Sequence, residues 1–158
     1  MERQAKHVYE SRTEQIQILM PGHINGARRL FGGRLMEWID VVAAVTARRH
    51  AASDVTTASV DRLVFEAPAL VNSTIILQGQ VTYVGRTSME VRVDTFVEAL
   101  DGRRDRVNRA YLVLVALGED GAPREVPRLL LDTEEERREW EAGKRRRDLR
   151  LQRQQEAF

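Results

Sequence analysis

The segment RLMEWIDVVAAVTARRH, Arg34–His50, decides how the rest of the chain folds. Leu35, Met36, Trp38, Ile39, Val41, Val42, Ala43, Ala44, Val45 and Ala47 place apolar groups around nearly its whole circumference. That pattern predicts a helix buried on most sides, central in the fold and not peripheral. Glu37 and Asp40 interrupt the apolar run, which falls short of the roughly 20 residues needed to span a bilayer, so no membrane segment is expected.

Upstream, Phe31-Gly32-Gly33 leads into this helix from a stretch rich in turn formers, His23 to Leu30, itself preceded by Pro21-Gly22. A first short strand is expected at about Glu14 to Leu19, and Met1 to Arg12, polar and without periodicity, read as a frayed start. Downstream, a turn at Ser53-Asp54 precedes four β-rich segments: Thr56 to Phe65, Thr74 to Val84, Ser88 to Ala99 and Val107 to Leu117. In the third, Met89, Val91, Val93, Thr95 and Val97 alternate with Glu90, Arg92, Asp94, Phe96 and Glu98, as expected where one face is packed and the other mostly wet. Short connections at Gly85-Arg86 and Asp101-Gly102 favour antiparallel neighbours. From Thr133 the sequence EEERREWEAGKRRRDLRLQRQQ has a capping threonine, acids in its first turns and bases later, and predicts a solvated C-terminal helix. The expected organisation is a flexible segment 1–12, one domain over 13–131 and a charged helix over 132–158. Its fold class is α+β, an antiparallel sheet of about five strands wrapped around a long helix.

With 158 residues, one well-buried core is the default. Lys+Arg 25 against Asp+Glu 24 leaves a net charge of +1, so nothing global draws the chain toward nucleic acid or an anionic membrane. The basic run Lys144 to Arg153 carries interleaved acids and reads as a solvated face before it reads as a nucleic-acid tail. Cysteine is absent, which excludes disulfides, thiolate metal sites and a cysteine nucleophile. His7, His23 and His50 are too scattered for a zinc set, so no metal is expected. The start MERQAKHVYESRTEQ lacks an apolar h-region and a small-residue cleavage site, which makes a cytoplasmic location the expectation.

Two features carry candidate chemistry. Asp40 lies between Trp38-Ile39 and Val41-Val42, so a carboxylate is carried into or beside the core, where it needs a partner, a hydrogen bond or water. It is either a structural partner of an arginine such as Arg48, Arg49 or Arg62, or a catalytic carboxylate. Gly32-Gly33 opens the helix and exposes backbone N–H groups without intrahelical partners, which stabilise negative charge on an oxyanion. The same glycines could simply permit a tight turn into the helix.

Taken together, PGHINGARRLFGGRLMEWID (Pro21 to Asp40) resembles the start of the acyl-CoA hydrolase branch of the hotdog-fold thioesterases. The resemblance continues through VTTASVDRLVFEAP (Val55 to Pro68), VTYVGRTSMEVRV (Val81 to Val93) and VPRLLLDTEEERREWEAGKRRRDLR (Val126 to Arg150), from about Thr13 onward. It implies a hydrolase that splits acyl-CoA into fatty acid and coenzyme A, with no cofactor beyond the CoA of the substrate. It also implies self-association as a dimer, often a trimer of dimers and hence a hexamer, with sites formed across the dimer. Asp40 falls on the family's catalytic carboxylate, as general base or nucleophile, and Asn25 on its catalytic asparagine, supplied by the partner subunit to position water. Arg86, Thr87 and Ser88 fall on a loop near the CoA nucleotide. The chain departs from many members at His23, where they carry an acid, and at Arg28, where they carry glycine. His23 reads as a bystander before it reads as a proton-transfer aid, and Asp61 as a salt-bridge partner before a second catalytic carboxylate. The competing function is a non-hydrolytic acyl-CoA-binding or sensor protein of the same fold.

Overall fold

A computed structural model describes residues 2–157. Its elements are β1 (Ala5–His7), β2 (Thr13–Ile18), α1 (Gly32–Ala51), β3 (Asp54–Phe65), β4 (Thr74–Val84), β5 (Ser88–Glu98), β6 (Arg104–Leu117), β7 (Arg128–Leu130) and α2 (Glu134–Gln155). Five strands form one antiparallel sheet in the order β2-β4-β5-β6-β3, which leaves β2 and β3 as its edges. The expected sheet and helices are therefore present, with ends displaced by only a few residues.

The long helix α1 seats on the inner face of this sheet. Its buried residues, Leu35, Trp38, Ile39, Val42, Ala43, Thr46, Ala47, His50 and Ala51, recur at the three- and four-residue spacing of one helical face. They pack with Leu77, Met89, Val91, Val93, Ala110, Leu112 and Leu114 in a single core. Helix and sheet approach closely at Gly79 of β4, where a Cβ would stand 2.6 Å from Thr46 Oγ1 and 2.8 Å from Val42 Cγ1. Burial on most sides, the expectation for α1, is not what one protomer provides. Met36 and Val41 remain 46% and 50% exposed, because the sheet covers one side of the helix and leaves the other flank open.

The outer face of the sheet also differs from expectation. Glu90, Arg92 and Asp94 of β5 are buried, not wet: α2, seated against β4, reaches Glu90 and Arg92 with Arg146 and Glu139, and Asp94 is enclosed by Arg92 and Arg109. Each charge there has a partner, which is what makes its burial tolerable. The Glu90 carboxylate accepts two hydrogen bonds from Arg146 of α2, at 2.9 and 2.8 Å, and one from Thr82 Oγ1 at 2.6 Å. Arg92 pairs with Glu139 of α2 at 3.0 Å and Asp94 with Arg109 in a two-point pair. That hydrogen-bonded pairing raises the Arg109 pKa above the ordinary arginine value. Trp140 stacks obliquely on Tyr83 at 4.4 Å. The C-terminal helix is therefore a packed layer rather than a solvated appendage. It does begin as expected, with Thr133 Oγ1 accepting from the Glu136 N–H and Glu136 returning the bond to the Thr133 N–H.

At the N-terminus, read from sequence as frayed, Ala5–His7 pairs in parallel with Arg128–Leu130. Three residues are too few to show periodicity, and their partner lies more than 120 positions away, so no local signal announces this strand. No helix among the described residues is long and apolar enough to cross a membrane.

Candidate active site

Asp40 sits on α1 two turns beyond Gly33, about 10 Å along the axis, and on the same face as Gly33, Met36 and Glu37. Opposite it, β3 contributes Thr57, Val60 and Leu63. Together with Ile39 and Leu112 these residues line a cleft of about 380 Å³. Within it, the Thr57 hydroxyl donates to Asp40 Oδ1 at 2.6 Å. Asp40 forms no ion pair among the described residues, so the arginine partner weighed as a structural explanation is not there. Nor is Asp40 carried into the core, since it lies exposed in the protomer. The open flank of α1 keeps it in reach of water and substrate.

Helix α1 starts without a side-chain cap on Phe31. The N–H groups of Gly32 and Gly33 have no acceptor among the described residues, and they stand at the positive end of a 20-residue helix. A Cβ on Gly33 would lie 2.7 Å from Phe31 Cε1, so a larger residue there would displace the ring that enters the helix.

Asn25 is held in a different place, a compact loop closed by the Ile24–Leu30 bridge. Its Oδ1 accepts from the N–H groups of Ala27 at 2.9 Å and Arg29 at 3.2 Å, while its backbone N–H donates to the Arg29 carbonyl. The side-chain oxygen is thus committed to the loop, and the Nδ2 amide is the part left to act on a ligand. The cleft beside it, about 320 Å³, is lined by Leu30, Leu35, Phe65, Ala69 and Val107 among others and does not include Asp40. One protomer therefore does not bring Asn25 and Asp40 into one site.

Within the same loop, Arg28 has φ +61°, the left-handed conformation that favours glycine. His23 Nδ1 accepts from the Met20 N–H at 3.0 Å, and its ring stands edge-on to Trp38 at 5.0 Å. Both contacts make it a structural residue of the loop. Asp61 lies on the other side of the sheet, 3.1 Å from Arg153 and 3.6 Å from Arg150 of α2, a salt-bridge partner away from the cleft.

Arg86, Thr87 and Ser88 belong to the turn that joins β4 to β5. Strand register sets Met89 opposite Leu114, and Leu114 opposite Thr57. The turn is therefore at the same end of the sheet as Thr57, two strand spacings or about 10 Å away. Among the described residues no group of three or more His, Asp or Glu could hold a metal.

Thr57 is the site residue that sequence reading missed. Threonine is common in strands, and nothing in VTTASV distinguishes Thr57 from Thr56 until the register sets one against Asp40.

Residues 28–100 match the family model of the thioesterase superfamily. The chain is 38% identical over 128 residues to an uncharacterized acyl-CoA thioester hydrolase of Bacillus subtilis, covering 80% of this chain and 74% of that one. It also matches longer mouse acyl-coenzyme A thioesterases, of whose length it spans 25% to 36%. Among solved structures, an apo-hexameric acyl-CoA thioesterase superimposes with TM-score 0.92 at 40% identity, over 95% of this chain and 97% of its own. The acyl-CoA hydrolase of Staphylococcus aureus in complex with butyryl coenzyme A and coenzyme A gives TM-score 0.92 at 31% identity, over 97% and 94%. That hydrolase has also been solved as alanine mutants of an asparagine, an aspartate and a threonine. The intervals between those three positions, fifteen and seventeen residues, equal those separating Asn25, Asp40 and Thr57 here.

Proposed function

This chain belongs to the thioesterase superfamily, among its acyl-CoA thioester hydrolases, and from that premise we propose that it hydrolyses acyl-CoA with Asp40 as the base. The observation that carries the reading is the cleft in which the Thr57-bound carboxylate of Asp40 shares a helix face with the unpartnered N–H groups of Gly32-Gly33.

The thioester carbonyl oxygen is received by those N–H groups, where the helix dipole stabilises the charge that develops on it. A water oxygen attacks the carbonyl carbon while Asp40 takes the water's proton. Thr57 holds Oδ1, which leaves Oδ2 to accept that proton. The tetrahedral intermediate then collapses, the C–S bond breaks, and coenzyme A leaves as a thiolate that recovers the proton. A thiol has an ordinary pKa of about 8.5, so departure needs little acid assistance and the demand lies at the carbonyl. Asn25, supplied by a second subunit, contributes its Nδ2 donors: they hold the attacking water by its oxygen and leave a water proton directed at Asp40. The nucleotide extends along the sheet end toward Arg86, Thr87 and Ser88.

Association through β3 supports the shared site. This edge strand exposes Val60, Val64 and Phe65 beside the open Met36 and Val41 of α1, an unpaired strand edge combined with an apolar flank. Joining two sheets there covers both. Three such dimers in a hexamer is the higher assembly we propose, in the cytoplasm.

A thiol-release assay on acyl-CoAs tests the activity, and the lack of cysteine in the chain removes background. Asp40→Asn reduces turnover to a small residual rate; wild-type rates in that variant would refute the assignment, and binding without turnover in the native protein would make it a sensor. Single turnover in heavy-oxygen water leaves the Asp40 carboxylate unlabelled if it acts as a base, whereas label there means nucleophilic attack. Mixing Asn25→Ala and Asp40→Asn subunits restores about a quarter of native activity, since half the dimers are mixed and each has one intact site. No recovery after subunit exchange would place Asn25 and Asp40 in one subunit.

A further inference from the structure

We propose that Arg3 is a positioning residue for coenzyme A, holding the β4–β5 turn with its carbonyls turned away from the ligand. The proposal rests on the reading that this turn receives the nucleotide.

Each carbonyl of Gly85–Ser88 is engaged within the protein. Ser88 O accepts from the Gly85 N–H at 2.9 Å, Thr87 O from the Ala116 N–H at 2.9 Å, and Arg86 O from the Val126 N–H at 2.9 Å. The fourth, Gly85 O, is bonded by a side chain, Arg3 Nη2 at 2.6 Å, while Arg3 Nε donates to Val126 O at 2.6 Å. One guanidinium thus ties the N-terminal segment to the turn and to the β6–β7 connection that braces it. With all four acceptors drawn inward, the turn offers its ligand only donors and cations. The Arg86 and Thr87 N–H groups have no acceptor among the described residues, and the Arg86 side chain is exposed. The Arg147 guanidinium of α2, in no ion pair among the described residues, reaches to 4.0 Å from where a Gly85 Cβ would stand. Such a donor-rich turn suits phosphate oxygens. Without Arg3, Gly85 O loses its inward bond and is free to rotate its negative end toward the phosphates, against their charge.

Arg3 does not approach the Asp40 cleft, so its loss acts on nucleotide binding and not on the chemical step. In Arg3→Ala, KM for acyl-CoA rises about tenfold, the equivalent of one charge-assisted hydrogen bond, with kcat within about twofold. Hydrolysis of an acyl-N-acetylcysteamine thioester, which has no nucleotide, is unchanged. Arg3→Gln, able to bond one carbonyl, falls between. Equal losses on both substrates, or a native KM for acyl-CoA in Arg3→Ala, would overturn the proposal. Arg86→Ala separates the two ideas. A native KM in Arg86→Ala removes the nucleotide from this turn and refutes both, whereas a raised KM there with a native KM in Arg3→Ala refutes the role of Arg3 alone.

Discussion

Replacing Thr57 by valine removes one hydroxyl and adds one methyl of nearly the same size, so the cleft keeps its shape while Asp40 loses the 2.6 Å bond to Oδ1. A hydrogen bond to a charged group contributes about 1.5–3 kcal/mol. Thr57 and Asp40 are both exposed in the protomer, so water replaces part of that, and about 1–2 kcal/mol of orientation is lost. If the bond serves to aim the second carboxylate oxygen at water, this loss falls on the transition state. The expected result is kcat reduced about 5- to 30-fold with KM for acyl-CoA unchanged. Initial rates of thiol release across a range of acyl-CoA concentrations measure both parameters. A double-mutant cycle on the residual rate that Asp40→Asn retains makes the test sharper: in that background Thr57→Val costs nothing further, because the group it aims is already disabled. Full additivity of the two losses, or a kcat within twofold of native in Thr57→Val, would refute the positioning role and leave the short contact as a structural bond.

Gly79→Ala pushes a methyl against Val42 and Thr46 where a Cβ has no room; urea denaturation is expected to show a loss of about 1–3 kcal/mol at unchanged m. Arg28→Gly relieves a left-handed arginine and is expected to change stability by about +0.5 kcal/mol with native activity, the steric relief of about 1–2 kcal/mol being offset by the added freedom of the unfolded chain. A loss of stability would show that the Arg28 side chain holds the loop. His50 is fully buried with Nε2 on Pro127 O at 2.8 Å and Nδ1 without a partner. Burial lowers its pKa from the ordinary 6.5, against the opposing pull of the Pro127 carbonyl. The unfolded chain thus binds the proton first as pH falls. The stability His50 confers is full above 6.5 and is lost as pH falls below it toward the lower folded value. In His50→Gln, denaturation midpoints are expected to lose that part of the pH dependence; an unchanged slope would mean the ring is not held neutral.

Much of this fold was legible in the chain because its elements are announced locally. Apolar spacing marked α1, β-rich runs bounded by glycine turns marked the sheet, and Thr133 with Glu136 marked the start of α2. The motif from Pro21 to Asp40 further carried the family, and with it Asn25 and Asp40 as candidate catalytic residues. What the sequence could not announce is which faces meet. Charges at Glu90, Arg92 and Asp94 looked solvated because alternation records polarity and not the helix that later covers it. The N-terminal strand and Arg3 act on partners more than 80 residues away, where no periodicity reaches. Thr57 illustrates the limit most clearly. Strict alternation along β3 would group Thr57, Ser59, Asp61 and Leu63 on one face, but the ladder shifts between Thr57 and Ser59 and again between Val60 and Arg62. The inner face therefore reads Thr57, Val60, Leu63, and Asp61 turns outward to the arginines of α2. Sequence determined that a carboxylate would stand beside a glycine-opened helix in a thioesterase. Two bulges, set by tertiary packing because each inserts a residue that only the partner strand can reveal, turned Ser59 and Asp61 off that face and left Thr57 as the hydroxyl that holds it.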